Sequence, residues 1–233
     1  MSGAGGVRRR PGAGSAERAD PQGTGLRADH IEAFQDAANI TTEVARVLTF
    51  GKDVLEANAF TLGTGSGQPT GLITALVAAG GSVVVSSATT DTFALADVYA
   101  LHGQLPGRYR AHPSSGWMAN QPVYNRIRRF DTAGGAGLWA TLGDGTPDRL
   151  LNRPVIEAED MDGTIDAGQN NYTLVFGAFE NYVIADRLGT TVELVPHLFG
   201  ANRRPTNQRG WLAYLRHGAG AVNTGAFRLL NVT

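Results

Sequence analysis

The sequence contains no cysteine, and this absence excludes disulfide bonds, cysteine-ligated metal sites and cysteine nucleophiles. It contains a single lysine, Lys52, among 20 basic residues, so a mechanism that needs a reactive amine side chain has one candidate. It also lacks a charge excess of either sign, because 21 acidic residues balance the 20 basic ones. A strongly basic surface for nucleic acid or for anionic lipid is therefore not indicated.

Long apolar stretches are missing as well. No run in the sequence approaches the roughly 20 apolar residues that span a bilayer. No apolar stretch follows the arginines near the N-terminus, so the sequence predicts neither a membrane span nor a secretory signal. A length of 233 residues is enough for one or two domains with a hydrophobic core. We therefore expect a soluble, cytoplasmic protein.

The most informative segment is a loop with four glycines in the nine residues between Gly63 and Gly71. A phosphate-binding loop follows a strand, opens a helix and carries a Gly-Lys-Ser/Thr run. This loop instead follows a helical pattern and has no lysine, and the carbonyls at a helix C-terminus repel phosphate. Glycines just past a helix end stop the helix, and Pro69 prevents it from resuming. We predict a helix stop, with a small nucleotide-binding enzyme as a remote alternative.

A long amphipathic helix is predicted to precede this loop. Between Asp29 and Phe60, apolar and small residues recur at spacings of three and four, which is the helical period. Asp29 is the candidate N-cap, and Glu32 stands in the capping-box position. About 30 helical residues at about 1.5 Å each would form a rod of about 45 Å. Residues 1–28 have few large apolar residues and predict a disordered tail.

Downstream of the loop, the pattern mixes strands with short helices and ends in strands. A helix over residues 92–101 would start at Asp91 or Thr92, and a helix over residues 122–130 would be capped by Asn120. Residues 131–150 are predicted to be a long loop. Strands are predicted at residues 82–86, 117–118, 152–157, 172–176, 183–186, 190–195, 208–217 and 226–232. This order is neither a regular βαβ series nor all-β, so the predicted fold class is α+β.

No catalytic, cofactor-binding or metal-binding constellation is predicted. The acidic residues from Glu157 to Asp166 lack the alternation and the closing glutamate of a calcium loop. The five histidines lack the spacing that places two imidazoles on one metal, and no Gly-x-Ser-x-Gly elbow is present. We interpret the acidic segment as a solvated turn. Arg203 and Arg204 are expected to pair with a neighbour's carboxylates.

Several blocks of the sequence, in the same order, resemble the major capsid proteins of tailed bacteriophages, the family typified by phage Hong Kong 97. The glycine loop is similar to the Gly-x-Gly-x-Gly-x-Pro-x-Gly turn that ends the long "spine" helix of these proteins. The segment from Trp117 to Asn120 resembles their W-x-x-N motif. The other resembling blocks are residues 36–40, 51–60, 151–155, 176–187, 191–194 and 208–219. The likeness runs from about residue 29 to residue 233.

The resemblance implies a spine helix, a peripheral domain and an axial domain. It assigns residues 29–73 to the spine helix and glycine turn of the peripheral domain, 74–187 to the axial domain, and 188–233 to strands that return to the peripheral domain. Relatives carry an N-terminal arm and an extended hairpin, the E-loop, before the spine. Residues 1–28 resemble neither, so we expect an N-terminally truncated form. The isopeptide bond of some relatives uses an E-loop lysine and is not expected here.

The function implied by the resemblance is structural and not enzymatic. We expect a major capsid protein of a tailed phage or prophage that assembles into the pentamers and hexamers of an icosahedral shell around DNA. No cofactor is expected. The expected partners are other copies, packaged DNA without sequence specificity, and scaffold, protease, portal or decoration proteins. The protein would reside in the host cytoplasm and then in the virion. The alternative is an encapsulin-type nanocompartment shell protein, which has the same fold.

Overall fold

The computed structural model describes residues 25–30, 40–134, 149–200, 202–206 and 208–233. The chain divides into two compact units, a first unit within residues 1–51 and 188–216 and a second unit of residues 52–187 and 217–233. In the described ranges, no helix has the length and apolar character needed to cross a membrane.

Five helices and nine strands are described. The helices are α1 (Ile40–Leu62), α2 (Leu72–Ala79), α3 (Leu95–Gln104), α4 (Gly107–Arg110) and α5 (Gln121–Gly134). The strands are β1 (Gly25–His30), β2 (Val84–Ser86), β3 (Ser115–Ala119), β4 (Arg149–Leu150), β5 (Arg153–Glu157), β6 (Asn171–Ala178), β7 (Tyr182–Val195), β8 (Gln208–Ala221) and β9 (Phe227–Val232).

A six-stranded mixed sheet forms the centre of the second unit, in the order β2-β9-β6-β3-β5-β4. Strand β6 pairs antiparallel with both β3 and β9, whereas β2 runs parallel to β9 and β5 runs parallel to β3. All of β9 is buried, and so is all of β6 except Tyr172. Strands with apolar side chains on both faces need cover on both sides, so this sheet is the middle of three layers.

Alternate residues of the central strands enter two separate hydrophobic clusters. Trp117 points to one face and Met118 to the other, as the two-residue period of a strand requires. The first cluster joins α3 and α5 to the sheet through Val98, Leu101, Leu105, Val123, Tyr124, Ile127, Trp117, Leu174, Phe176 and Leu230. The second cluster joins α2 to the opposite face through Leu72, Ile73, Leu76, Met118, Val175, Phe227 and Leu229.

The first unit contains a three-stranded sheet in the order β1-β8-β7. Strand β1 runs antiparallel to β8, with Gly25 opposite Ala213 and His30 opposite Gln208. The prediction that Asp29 begins the long helix is therefore wrong, because Asp29 lies in β1 opposite Arg209. A capping signal is local, and the backbone hydrogen bonds offered by a strand far along the chain outweigh it. Residues 25–28 of the predicted tail belong to the same strand.

Helix α1 as described begins at Ile40, and residues 31–39, including Glu32, lie outside the described residues. It ends at Leu62 directly before the glycine loop, so the predicted helix stop is confirmed. Its 23 described residues correspond to about 35 Å of helix.

Three other predicted boundaries differ from the structure. Helix α3 starts after Ala94, whose N–H donates to the Asp97 carboxylate at 2.7 Å, so neither Asp91 nor Thr92 caps it. Helix α5 continues to Gly134, which makes the first residues of the predicted loop 131–150 helical, while residues 135–148 lie outside the described part. The two strands predicted at 183–186 and 190–195 form one continuous strand, β7.

The strand pairing bears on where the last strand lies relative to the four segments expected from the resemblance. Strand β9 was expected to return to the peripheral domain with residues 188–233, but it pairs with β6 and β2 in the sheet built by residues 84–178. Its apolar residues on both faces are buried there. The assignment of peripheral and axial roles to these parts stays a prediction.

The three-layer core predicts a contrast between two neighbouring residues of α2. Leu76 is fully buried, whereas Val77 is 37% exposed. We expect Leu76→Ala to lower the free energy of unfolding by about 2–5 kcal/mol, because it leaves a cavity. The control Val77→Ala should cost less than about 1 kcal/mol. Urea unfolding followed by circular dichroism measures both, and equal losses would contradict the assignment of α2 to the core.

Candidate functional site

The glycine loop is a tight hairpin whose backbone needs glycine. Gly65 and Gly67 have φ of +80° and +70°, a region that side chains other than glycine rarely adopt. A Cβ on Gly63 would lie 2.3 Å from the carbonyl oxygens of Ala59 and Pro69. A Cβ on Gly71 would lie 2.4 Å from the Gly63 nitrogen. The spacing of the glycines is therefore set by close backbone approach.

Three backbone donors of this loop are already used. Gly63 N–H donates to Ala59 O at 3.0 Å, Gly65 N–H to Pro69 O at 3.3 Å, and Gly71 N–H to Gly63 O at 2.8 Å. A phosphate cradle needs free N–H groups that converge on the ligand. The loop does precede a helix, α2, but its N–H groups close the hairpin, so the geometry disfavours nucleotide binding between Gly63 and Gly71.

Tyr182, at the start of β7, anchors the hairpin. Its hydroxyl lies 3.0 Å from Phe60 O and 2.9 Å from Thr70 O, and its proton is directed at both carbonyls. Burial raises the pKa of Tyr182 to about 12. Thr74 Oγ1 donates to Leu62 O at 3.0 Å, so the helix end is held from two sides. The hairpin therefore fixes the end of α1, the start of α2 and the start of β7 in one place.

The single lysine takes part in an ion-pair cluster on α1. Lys52 Nζ lies 3.0 Å from Glu56 Oε2, and this hydrogen bond raises the pKa of Lys52. His217 Nδ1 lies 3.5 Å from the other Glu56 oxygen, and the His217 ring packs edge-on against Phe60 at 5.0 Å. The contact between Glu56 and His217 joins α1 to β8. That Lys52 forms no isopeptide bond stays a prediction.

The segment from Trp117 to Asn120 has a structural role. Trp117 Nε1 donates to Leu150 O at 2.9 Å inside the core. Asn120 was predicted to cap α5 with its side chain. Instead its backbone carbonyl accepts the Val123 and Tyr124 N–H groups, while its side-chain nitrogen donates to Glu159 O and Met161 O. The side chain is drawn away from the helix because the turn at 159–161 presents two carbonyls within reach.

The ionisable residues of the described part do not assemble into an active centre. Among these residues, no group of three or more histidine, aspartate or glutamate side chains could hold a metal ion. In the acidic turn, residues 157–166, Asp162 Oδ2 accepts the Tyr172 N–H and Asp160 Oδ1 accepts a hydrogen bond from the Asn58 side-chain amide. The His102 ring packs at a tilt against the Phe176 ring, with the ring centroids 5.0 Å apart. Burial, with nearby Arg110 and Arg153, lowers the pKa of His102.

A shallow cavity of about 400 Å³ lies beside the start of α5. Its two ionisable groups are Asp91 and Arg126, and both are engaged. Asp91 Oδ1 accepts the Gly168 N–H at 3.0 Å. Arg126 donates to Thr92 and covers the Phe93 ring at 4.8 Å. The cavity therefore offers no converging acid and base.

Both units leave large apolar side chains exposed. In the first unit these are Val47, Phe50, Val192, Leu194 and Phe199. In the second unit they include Val54, Leu55, Ile156, Val183, Ile184 and Val222. Sets of exposed apolar side chains are typical of surfaces that contact other proteins. Among the described residues, these exposed apolar side chains are candidates for contacts with other chains.

A family model described as the phage capsid family matches residues 31–232. The chain belongs to the phage capsid family. The predicted capsid fold of the phage Hong Kong 97 type and the predicted structural, non-enzymatic role are thereby confirmed. As a phage capsid protein, the chain is a component of a virion and assembles with copies of itself into a shell.

Solved structures share this fold. The capsid of an empty GTA particle has 27% sequence identity and a TM-score of 0.75, covering 99% of this chain and 81% of that chain, and the capsid of the native GTA particle gives the same values. The holo-SrpI encapsulin of Synechococcus elongatus has 12% identity and a TM-score of 0.62, covering 89% and 72%. Mycobacterium phage Ogopogo has 14% identity and a TM-score of 0.57, covering 90% and 74%. A search of the curated proteins found no match.

Two structural features were not predicted from the sequence, the anchoring bonds of Tyr182 and the exposure of Phe199. Tyr182 lay inside a resembling block, but its bonds to carbonyls 112 and 122 residues away leave no local signal. Phe199 is 64% exposed, and a single aromatic residue between strands gives no sign of facing solvent.

The glycine hairpin predicts that Gly63→Ala is destabilising. The added methyl group would overlap two backbone carbonyls, and overpacking of this kind costs about 1–3 kcal/mol. The control is Gly103→Ala in α3, where a Cβ meets nothing within 4 Å. This control should be neutral or stabilise by up to about 1 kcal/mol. Thermal and urea unfolding measure both changes, and a harmless Gly63→Ala would refute the close approach.

Tyr182→Phe should lower stability by about 1 kcal/mol, because the partly buried carbonyls of Phe60 and Thr70 lose their hydroxyl donor. The control Tyr99→Phe alters a side chain that is 45% exposed and should change little. The folded-state pKa of Tyr182, about 12, lies above its ordinary value of 10. The stabilisation that the Tyr182 hydroxyl provides is therefore complete below pH 10 and is lost as the pH rises toward 12. Unfolding measured from pH 9 to 12 should show a shallower decline for Tyr182→Phe than for the wild type.

Proposed function

We propose that this chain forms the pentamers and hexamers of a closed icosahedral shell that encloses DNA in a tailed-phage or prophage particle. The observation that carries the proposal is the likeness to the capsid of the GTA particle over 99% of the chain at 27% identity. Exposed apolar side chains in both units add support, because they need partners. Residues 52–187 would supply most of the axial part, and the sheet of the first unit would supply the peripheral part.

Shell formation by this chain would rest on many weak contacts. Each subunit meets its neighbours head-to-tail, so two different surfaces must fit each other. Closure multiplies these contacts, and modest interfaces then resist disassembly. The nearly balanced charge of the chain, formally −1, limits repulsion between many copies. Further partners are proposed from the family alone, namely scaffold, protease, portal and decoration proteins.

An encapsulin-type compartment is the second candidate, supported by the match to the encapsulin of Synechococcus elongatus. At 12% identity this match concerns the fold alone, whereas the GTA capsid is more similar in both sequence and structure. We therefore favour a DNA-containing shell over a compartment for protein cargo.

The proposal predicts that the purified chain, or the chain extended by its upstream coding region, forms closed particles. Sedimentation velocity and negative-stain electron microscopy would detect them. Monomers in both forms, at all concentrations tested, would contradict the proposal. DNA protected from nuclease inside particles made in the native host would support a phage-type shell, and particles holding protein without DNA would support the encapsulin alternative.

A further inference from the structure

The connection between β7 and β8 forms a compact tip, which we call the tip hairpin (residues 196–200 and 202–206). Thr206 N–H donates to Leu198 O, Gly200 N–H to Arg204 O, and Arg203 N–H to Gly200 O, each at 2.9 Å. Phe199 and Pro205 form a bridge across it. Its backbone is thus fixed by its own hydrogen bonds, and no partner is needed to shape it.

The side chains of the tip hairpin face solvent. Phe199 is 64% exposed, and Arg203 and Arg204 are exposed and form no ion pair within the described part of the chain. Arg203 has a φ of +54°, a left-handed conformation that costs an ordinary residue about 1–2 kcal/mol. Aromatic and arginine side chains dominate the binding energy of protein interfaces. A fixed loop that presents both is prepared to bind before its partner arrives.

The charge of the tip hairpin defines the partner. From residue 196 to residue 206 the sequence contains two arginines and one histidine but no acidic residue. The complementary surface must therefore be acidic.

The same chain carries such a surface in the second unit. Residues 157–166, the acidic turn, contain five carboxylates and no basic residue. Glu157 and Glu159 are exposed and form no ion pair among the described residues. The acidic turn is also held in place, since Ala158 N–H donates to Ala119 O at 3.0 Å and Asn120 binds the turn carbonyls.

We propose that the tip hairpin of one copy docks onto the acidic turn of a second copy. Arg203 and Arg204 would pair with Glu157 and Glu159. Because the two surfaces differ, the contact is head-to-tail and can extend from copy to copy, as a shell requires. This inference rests on the proposed self-assembly and names one of its contacts.

A nucleic acid is the competing occupant of the tip hairpin. Two arginines on one short loop neutralise few phosphates, and affinity for nucleic acid grows with the number neutralised. The presence of an equally unpaired acidic surface on the same chain favours a second copy.

A charge-swap series tests the proposal on the full chain. R203E/R204E and, separately, E157R/E159R should each weaken the association constant between copies, measured by sedimentation velocity across a concentration series, by about tenfold or more, which corresponds to about 1.4 kcal/mol. The combined variant, with all four changes, restores opposite charges and should recover most of the assembly. R46E/R216E is the matched control, because it makes the same charge change at two exposed arginines outside the tip hairpin.

Each outcome decides between the two proposals. If the wild type forms no particles, the proposed self-assembly fails. If the wild type assembles and R203E/R204E assembles equally well, the tip contact is wrong while the shell stands. If R203E/R204E blocks assembly and the combined variant does not recover it, the arginines bind another partner, such as nucleic acid, and the proposed pairing is overturned.

Circular dichroism would show whether a charge-swap variant has failed to fold. In that case a second measurement, disulfide trapping between copies, tests the same contact. The chain has no cysteine, so R204C and E159C, made on separate chains of different mass, can form disulfides at the introduced positions alone. Under mild oxidation the mixed R204C–E159C disulfide should exceed both symmetric products. A predominance of R204C–R204C, or no intermolecular disulfide between assembled copies, would overturn the docking.

Discussion

Two neighbouring strands with both faces buried constrain the second unit more than any other feature. Strand β6 supplies Leu174 and Phe176 to one cluster and Val175 to the other, and β9 divides its side chains in the same way. Neither strand can face water without exposing apolar area worth about 25 cal/mol per Å². The sheet must therefore be covered twice, by α3 and α5 on one side and by α2 on the other. The polar residues that remain at the surface are left for contacts with other molecules.

The glycine hairpin is a joint whose function is geometric. It reverses the chain between α1 and α2 within nine residues, and Tyr182 ties this reversal to the start of β7. A glycine-rich loop beside a helix invites comparison with phosphate-binding loops. What separates the two is the use of the N–H groups, because here they close the hairpin on itself. The hairpin therefore fixes the relative positions of the end of α1, the start of α2 and the start of β7.

Local signals in the sequence predicted the elements that depend on near neighbours. The end of α1 at Leu62 follows from the glycines just beyond it, and β6 follows from its own apolar run. Local sequence patterns gave wrong predictions where contacts with residues far away in the sequence determine the structure. Asp29 has the pattern of a helix cap, yet β8 pairs with it from about 180 residues away. Asn120 also has that pattern, yet two carbonyls of the acidic turn take its side chain. Phe199 is exposed because no other described residue covers most of its side chain, and a single sequence does not reveal this.

The position of β9 in the sheet has a consequence for how the subunit is made. Residues 227–232 lie between β2 and β6, and β2 has no other strand partner in the sheet. During translation, residues 84–178 would emerge well before the strand that joins them. The sheet stays incomplete until residue 232 leaves the ribosome, and its formation must bridge a loop of about 50 residues after β6, a non-local step that is slow.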